Sequence, residues 1–338
     1  MGRRRKNGLK IDGWINLNKP AGITSTQALA KVRRALNAQK AGHAGTLDPL
    51  ASGVLPIALG EATKTVNYAQ DALKTYRFTA VWGQQRSTDD REGGVIETSD
   101  KRPSKEEIEA LLPGFIGDIE QLPPQFSAVK IEGQRAYDIA RSGAQADIKT
   151  RTVYIESLNI KECHFEQSEK SQTKPGDSSS LRSVGMTSTV FECVCGKGTY
   201  VRSIARDLGQ KLGCFGYIGA LERTKVGPFT LESAISLDFF ENLDDNTARE
   251  TIGEDVVLPL QTVLDDIPAL ALREQEAARL KQGQGLSFVA RPDLERLYRI
   301  GIELEDGCTT ALATCKGKAL ALIEVNGPTI QPLRILNV

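Results

Sequence analysis

Between Gly42 and Lys64 the chain reads GHAGTLDPLASGVLPIALGEATK, and no other stretch restricts the fold as tightly. Glycines at 42, 45, 53 and 60 punctuate it, so its backbone can take turns and close approaches that other residues resist. Asp48 stands before Pro49, which drives the aspartate toward an extended or turn conformation and fixes the exit angle of its side chain. The VLPIAL run that follows is short and apolar, the pattern of a buried strand anchoring the loop ahead of it. His43, one of two histidines in 338 residues, lies five positions before Asp48. On chemistry alone, an Asp-Pro pair is most often a helix N-cap with proline at the first helical position, or an Asx-turn. The stretch is then a rigid loop presenting one carboxylate. It contains no GxxxxGK followed by Ser or Thr, no GxGxxG after a strand and no GxSxG, so the usual phosphate, dinucleotide and serine-nucleophile loops are excluded.

The charge is uneven although the net charge is zero. Residues 1–47 carry ten Lys/Arg against Asp12 alone, whereas residues 241–266 carry eight acids against Arg249. Such asymmetry suits a basic binding face with an acidic surface elsewhere; solvated charged faces give the same pattern. Cysteines at 163, 193, 195, 214, 308 and 315 form no CxxC pair, and two histidines are too few to complete a zinc site. They read as free thiols in a reducing compartment, and cytoplasm is the expected location. MGRRRKNGLK is basic with no apolar segment after it, so it is not a signal peptide, and no apolar run approaches a membrane span.

Along the chain, residues 1–10 read as a disordered basic tail. A strand from Gly13 to Leu17 leads through a Lys-Pro-Ala-Gly turn to a helix capped by Thr24 or Ser25, with Leu29, Val32 and Leu36 on one face. Tyr76, Phe78, Ala80 and Trp82 alternate with Arg77, Thr79 and Val81, which is strand periodicity. Asp89 to Gly94 reads as a hairpin connection, and Ser104 to Glu107 as a capping box. Lys130, Arg135, Arg141, Lys149 and Arg151 make the next region basic. Residues 166–188 hold almost no large apolar side chain and are expected to stay mobile, interrupting a hairpin between strands near 153–160 and 190–194. Ile204, Leu208 and Leu212 mark a helix face that Gly213 ends. Arg202 then falls near the helix start, where a cation is disfavoured unless a carboxylate faces it. Residues 241–257 read as an acidic linker, and 258–338 as a small β-barrel.

The central stretch resembles the G-H-x-G-x-L-D-P motif of the TruB family of pseudouridine synthases. Further similar segments follow in order: LNKPAGITS (17–25), KTYRFTAVWG (74–83), LPPQFSAVKIEGQRAYDIARSG (122–143), GTYVRSIARDLG (198–209) and ALERTKVGPF (220–229). Together they cover most of residues 12–230. The resemblance implies an α+β fold, with a mixed, mostly antiparallel central sheet and flanking helices over 11–240 and a PUA-like RNA-binding barrel over 258–338. It implies isomerisation of the T-loop uridine 55 of transfer RNA to pseudouridine after base flipping, without metal or other cofactor. By correspondence, Asp48 is the nucleophile, with Tyr76 and Arg202 as its catalytic companions. His43 holds the vacated space, and Tyr76, Tyr200 and Leu221 line the substrate pocket. Lys19 packs beneath the loop, while Lys64 is open between phosphate contact and surface lysine. Attack at C1′, addition to C6 and a glycal-like route all remain open for Asp48. The expected partner is the T arm of transfer RNA, met by a monomer with no obligatory protein partner and no membrane. The competing readings are a ribosomal-RNA pseudouridine synthase, and an RNA-binding protein or RNA chaperone whose catalysis is secondary.

Overall fold

The computed structural model describes residues 8–127, 129–131, 133–141, 144, 146–165, 186–243, 256–305 and 307–337. Most of the expected tail (residues 1–7), of the insertion (166–185) and of the linker (244–255) lies outside the described residues. Gly8–Lys10 are described, and Leu9 exchanges main-chain hydrogen bonds with Asn37 and Gln39.

Strand β1 (Gly13–Lys19) leads to helix α1 (Ser25–Ala35), whose N-cap Thr24 forms a capping box with Gln27. Short β2 (Ala41–His43) and β3 (Ser52–Leu59), apolar from Val54 on, flank the Asp48 loop. Helix α2 (Val66–Asp71) precedes β4 (Lys74–Trp82), and β5 (Gln84–Arg86) pairs with β6 (Val95–Thr98) around the Asp89–Gly94 connection. Helix α3 (Lys105–Leu111) starts on the Ser104–Glu107 capping box, and β7 (Gly117–Gln121) follows. Beyond a small ribbon, β8 (Lys130–Ile131) and β9 (Gln134–Arg135), comes α4 (Ala136–Arg141). The long β10 (Arg151–Phe165) then pairs with β11 (Met186–Cys195). Helix α5 (Val201–Leu212) ends at Gly213, whose φ of 67° is the left-handed turn that glycine accommodates. After β12 (Gly216–Val226), short β13 (Phe229–Thr230) and β14 (Ile235–Ser236) lead to α6 (Leu237–Glu241).

The main sheet runs β14-β1-β3-β12-β4-β11-β10-β7, with β2 on β3 and β13 on β12. Only β1–β14 and β3–β12 are parallel, so the sheet is mixed and mostly antiparallel, as expected. Its core unites Ile15, Leu55, Phe78, Phe191, Ile204 and Leu208, and so joins α1 and α5 to the strands. Arg223 and Gly53 are paired across β12 and β3; a Cβ on Gly53, at φ 102°, would stand 2.2 Å from the Arg223 carbonyl oxygen. Glycine there lets β3 close on the strand that carries Arg223.

A second sheet has the order β15 (Ala269–Ala271), β17 (Cys308–Cys315), β18 (Lys318–Asn326), β19 (Thr329–Ile335), β16 (Leu286–Ser287). Leu270, Leu280, Leu297 and Ile323 fill its own core. A further apolar layer joins it to the main sheet, with Trp14, Val54 and Phe229 on one side and Leu312, Leu322 and Leu336 on the other. Trp14 and Leu258 exchange two main-chain hydrogen bonds, and the Trp14 indole donates to the Leu260 carbonyl. Lys64 Nζ donates to the Ile335 carbonyl, and the Asn337 amide donates to Glu61. The C-terminal sheet is thus continuous with the first through buried apolar side chains. No helix among the described residues is long and apolar enough to cross a membrane.

Candidate active site

The Asp48 loop is held from two sides. The Ser25 hydroxyl, at the start of α1, donates to the Leu47 carbonyl (3.0 Å) and accepts from the Leu47 amide (2.8 Å). The Ala51 amide closes a turn on the Asp48 carbonyl at 3.1 Å, and β3 begins directly afterwards. No helix follows Pro49, so Asp48 is not an N-cap. The turn uses its main-chain oxygen, which leaves the carboxylate free to meet another element.

That element is α5. Arg202 is the second residue of the helix, and its Nε lies 2.9 Å from Asp48 Oδ2. The Nε–H is not aimed squarely at the oxygen, so the attraction is chiefly that of an ion pair. The rest of the guanidinium is fixed: Nη1 donates to Thr88 O at 3.0 Å and stands 3.4 Å from Asp90 Oδ2, while Nη2 donates to Phe126 O at 2.9 Å. These contacts offset placing a cation at the positive end of a helix dipole. Tyr200 caps the same helix, and the buried Gln121 side chain bonds both its amide and its carbonyl.

Asp48, Tyr76, Tyr200, Arg202 and Leu221 line one cavity of about 1060 Å³. His43 is not among its walls. It lies on β2, with Nδ1 buried and without a hydrogen-bond partner among the described residues. Burial, and then the charge of Arg223, pulls the His43 pKa down, so the ring is neutral at pH 7. Burial pushes the Asp48 carboxyl above its ordinary value; Arg202 opposes this and Asp90 adds to it. Although otherwise enclosed by protein, 35% of the Asp48 side chain is open to the cavity. Water there moderates the burial effect, and a ligand that displaced it would strengthen the Arg202 attraction.

Several wall residues were not singled out in the sequence. Asp90, expected only in a hairpin connection, is buried, and its Oδ1 accepts the Glu92 amide at 3.0 Å. Asp89 beside it takes φ 60° and pairs with Arg206 at 3.1 Å. Arg223, 1% exposed, donates to Val54 O and Gly45 O. A turn rich in Asp and Gly carries no sign of this, because a solvated turn has the same composition. Lys19 is fully buried, with Nζ donating to Pro20 O and Ile23 O, and burial brings its pKa down to about 8. It is not among the cavity walls, and its charge acts on Asp48 from behind the protein surface that lines the cavity. Lys64 pairs with Glu61 at 2.6 Å.

Residues 33–201, half of the chain, match the TruB family pseudouridylate synthase N-terminal domain, and residues 202–265 match the tRNA pseudouridylate synthase B C-terminal domain. The chain belongs to the TruB family. Among TruB relatives, the tRNA pseudouridine synthase B of Caulobacter sp. (strain K31) is 46% identical over 332 residues, 98% of each chain. That of Nitrobacter winogradskyi is 47% identical over 334 residues, covering 98% of this chain and 85% of the relative. Among solved structures, a chain of a Cbf5-Nop10-Gar1 complex superposes with a TM-score of 0.64 at 22% identity, covering 96% of this TruB chain and 84% of its own. A chain of an H/ACA RNP bound to a substrate RNA containing 2′-deoxyuridine gives 0.65 at 19% identity, with 100% and 92% covered. At these identities the structures establish a shared fold for the TruB chain.

Proposed function

We propose that this chain is a tRNA pseudouridine synthase that converts uridine 55 in the T loop of transfer RNA to pseudouridine, with Asp48 as the reacting carboxylate. One observation carries the reading: in a TruB-family chain, Asp48 faces an open cavity and stands 2.9 Å from a buried arginine. The reaction breaks the N1–C1′ bond, turns the uracil and rejoins it through C5, with the C5 proton lost and N1 protonated. A stacked base is out of reach, so the uridine is flipped into the cavity at roughly a few kcal/mol. Tyr76 offers a ring for stacking, and Tyr200 and Leu221 close the other walls. Arg202 favours the charged form of Asp48, which nucleophilic attack, addition and general-base chemistry all require. His43 lies outside the cavity wall on β2 and would serve the duplex that the flipped base leaves.

The C-terminal sheet is taken as a PUA-like RNA-binding module that widens contact with transfer RNA. The enzyme is taken as a monomer working in the cytoplasm; its six free thiols fit a reducing compartment. Mass spectrometry of a T-arm hairpin incubated with the chain tests the reading. Pseudouridine at position 55 is expected. An untouched T arm with a modified ribosomal hairpin would move the substrate to ribosomal RNA, and binding with no product on any RNA would leave an RNA chaperone.

A further inference from the structure

Arg223 is a third arginine in this region, and its company differs from that of Arg202 and Arg206. Its described hydrogen-bond acceptors are main-chain oxygens, Val54 O at 2.8 Å from Nε and Gly45 O at 3.1 Å from Nη2. A buried guanidinium held by carbonyl dipoles alone is a weak way to build stability, because its desolvation is not offset by an opposite charge. Its placement points to work done on a neighbour. Strands β4 and β12 are antiparallel with Arg223 directly opposite Tyr76, so the two side chains leave the sheet on one face, and both line the cavity. As cross-strand neighbours the two are close enough for the guanidinium charge to act on the Tyr76 phenol. Gly45, at φ 87°, brings the Asp48 loop against the same group: a Cβ there would stand 3.4 Å from Arg223 Nη1.

Guanidinium groups donate hydrogen bonds and accept none. A hydrogen bond between the two can run only from Arg223 to the phenol oxygen, which turns the phenol proton away from Arg223 and toward the cavity that both line. We propose that Arg223 is a positioning residue for the isomerisation: it ties the Asp48 loop to Tyr76 and presents the Tyr76 hydroxyl as a hydrogen-bond donor to an acceptor oxygen of the seated pyrimidine. This rests on the reading of the cavity as a uridine site.

The test compares wild type, Arg223→Lys, Tyr76→Phe and the double variant for melting temperature, hairpin Kd and single-turnover rate. Arg223→Lys is expected to bind the hairpin within about threefold of wild type and to react at least about tenfold more slowly, a loss confined to the chemical step. The double variant should lose clearly less than the product of the two single losses, because both changes remove the same link between Arg223 and Tyr76. An undiminished Arg223→Lys rate, or losses that multiply in the double variant, overturns the proposal. If Arg223→Lys does not fold, or Tyr76→Phe has no measurable rate, 15N-arginine NMR of the native chain against Tyr76→Phe decides. A buried guanidinium signal must move when the hydroxyl is removed, and superimposable spectra overturn the contact. Conversion of the hairpin by the wild-type chain reports separately on the uridine-site reading.

Discussion

Asp90 Oδ2 lies 3.4 Å from Arg202 Nη1 while Asp48 Oδ2 lies 2.9 Å from Nε of the same guanidinium, so one buried arginine is shared by two carboxylates. The two acids are not equivalent. Asp90 is enclosed and held by its own turn, whereas Asp48 looks onto the cavity. Asp90 therefore anchors the cation, and Asp48 is the acid left free to meet a ligand.

Asp48→Asn keeps the shape of the side chain and removes its charge. The turn at Pro49 uses the Asp48 main chain, so the variant is expected to fold with a melting temperature near wild type. It should bind the T arm normally and yield no pseudouridine. Melting temperature and product yield measured on one preparation check this; lowered stability with retained activity would return Asp48 to a structural role.

Arg202→Met removes the group that holds the Asp48 carboxyl down against burial, so its pKa rises further. The ionised form is then lost at higher pH than in wild type. The rate deficit is expected to be greatest at low pH and to shrink as pH rises, as an acid with a raised pKa requires. A pH–rate profile of both chains reads this directly, and a deficit independent of pH speaks against the ion pair's role.

Burial pushes the Asp89 carboxyl up to about 6, with Arg206 opposing the shift. An acid whose folded pKa is raised stabilises the fold fully below its ordinary value, and that contribution is lost as pH climbs through the folded one. Asp89→Asn lacks this titration. Between about pH 4 and about pH 7 the variant should gain roughly 2–3 kcal/mol relative to wild type, in denaturant titrations at each pH. A constant difference between the two chains would show that Asp89 is ionised throughout.

Trp14 joins the two sheets through its ring and its main chain. Trp14→Ala is expected to lower stability by about 3–5 kcal/mol, in the range of large-to-small core changes. The melting curve should split as the C-terminal sheet loosens first, with proteolysis near residues 256–264 as the second readout. One unchanged transition would mean that the seam contributes little.

Phe165 pairs with Met186 at the open end of the β10–β11 ladder, so the two strands meet where the polar segment begins. Replacing residues 166–185 with a short Gly-Ser turn should leave T-arm modification and melting temperature nearly unchanged. A large loss of modification in a chain that still melts normally would make the segment an RNA contact.

What the sequence determined by itself was local. Thr24, the Ser104–Glu107 pair and Gly213 set helix ends, because caps act on the first unpaired amides or through the left-handed turn a few residues away. Alternation from Tyr76 to Trp82 marked β4, because side chains along a strand point in turn to opposite faces. The pairing of Asp48 with Arg202 was also legible, though only through resemblance to the family motif. The tertiary structure decided the rest. Asp89 and Asp90 became buried ion-pair partners because α5 packs over their turn. Arg223 lost water because the Asp48 loop and β3 close on it, and Lys19 because its ammonium turns onto the carbonyls of Pro20 and Ile23. His43, close to Asp48 in sequence, stands on β2 away from the cavity wall. The physical reason is common to these cases: burial and charge pairing depend on what arrives from distant segments, and no local pattern distinguishes a carboxylate in water from one that meets an arginine more than a hundred residues away.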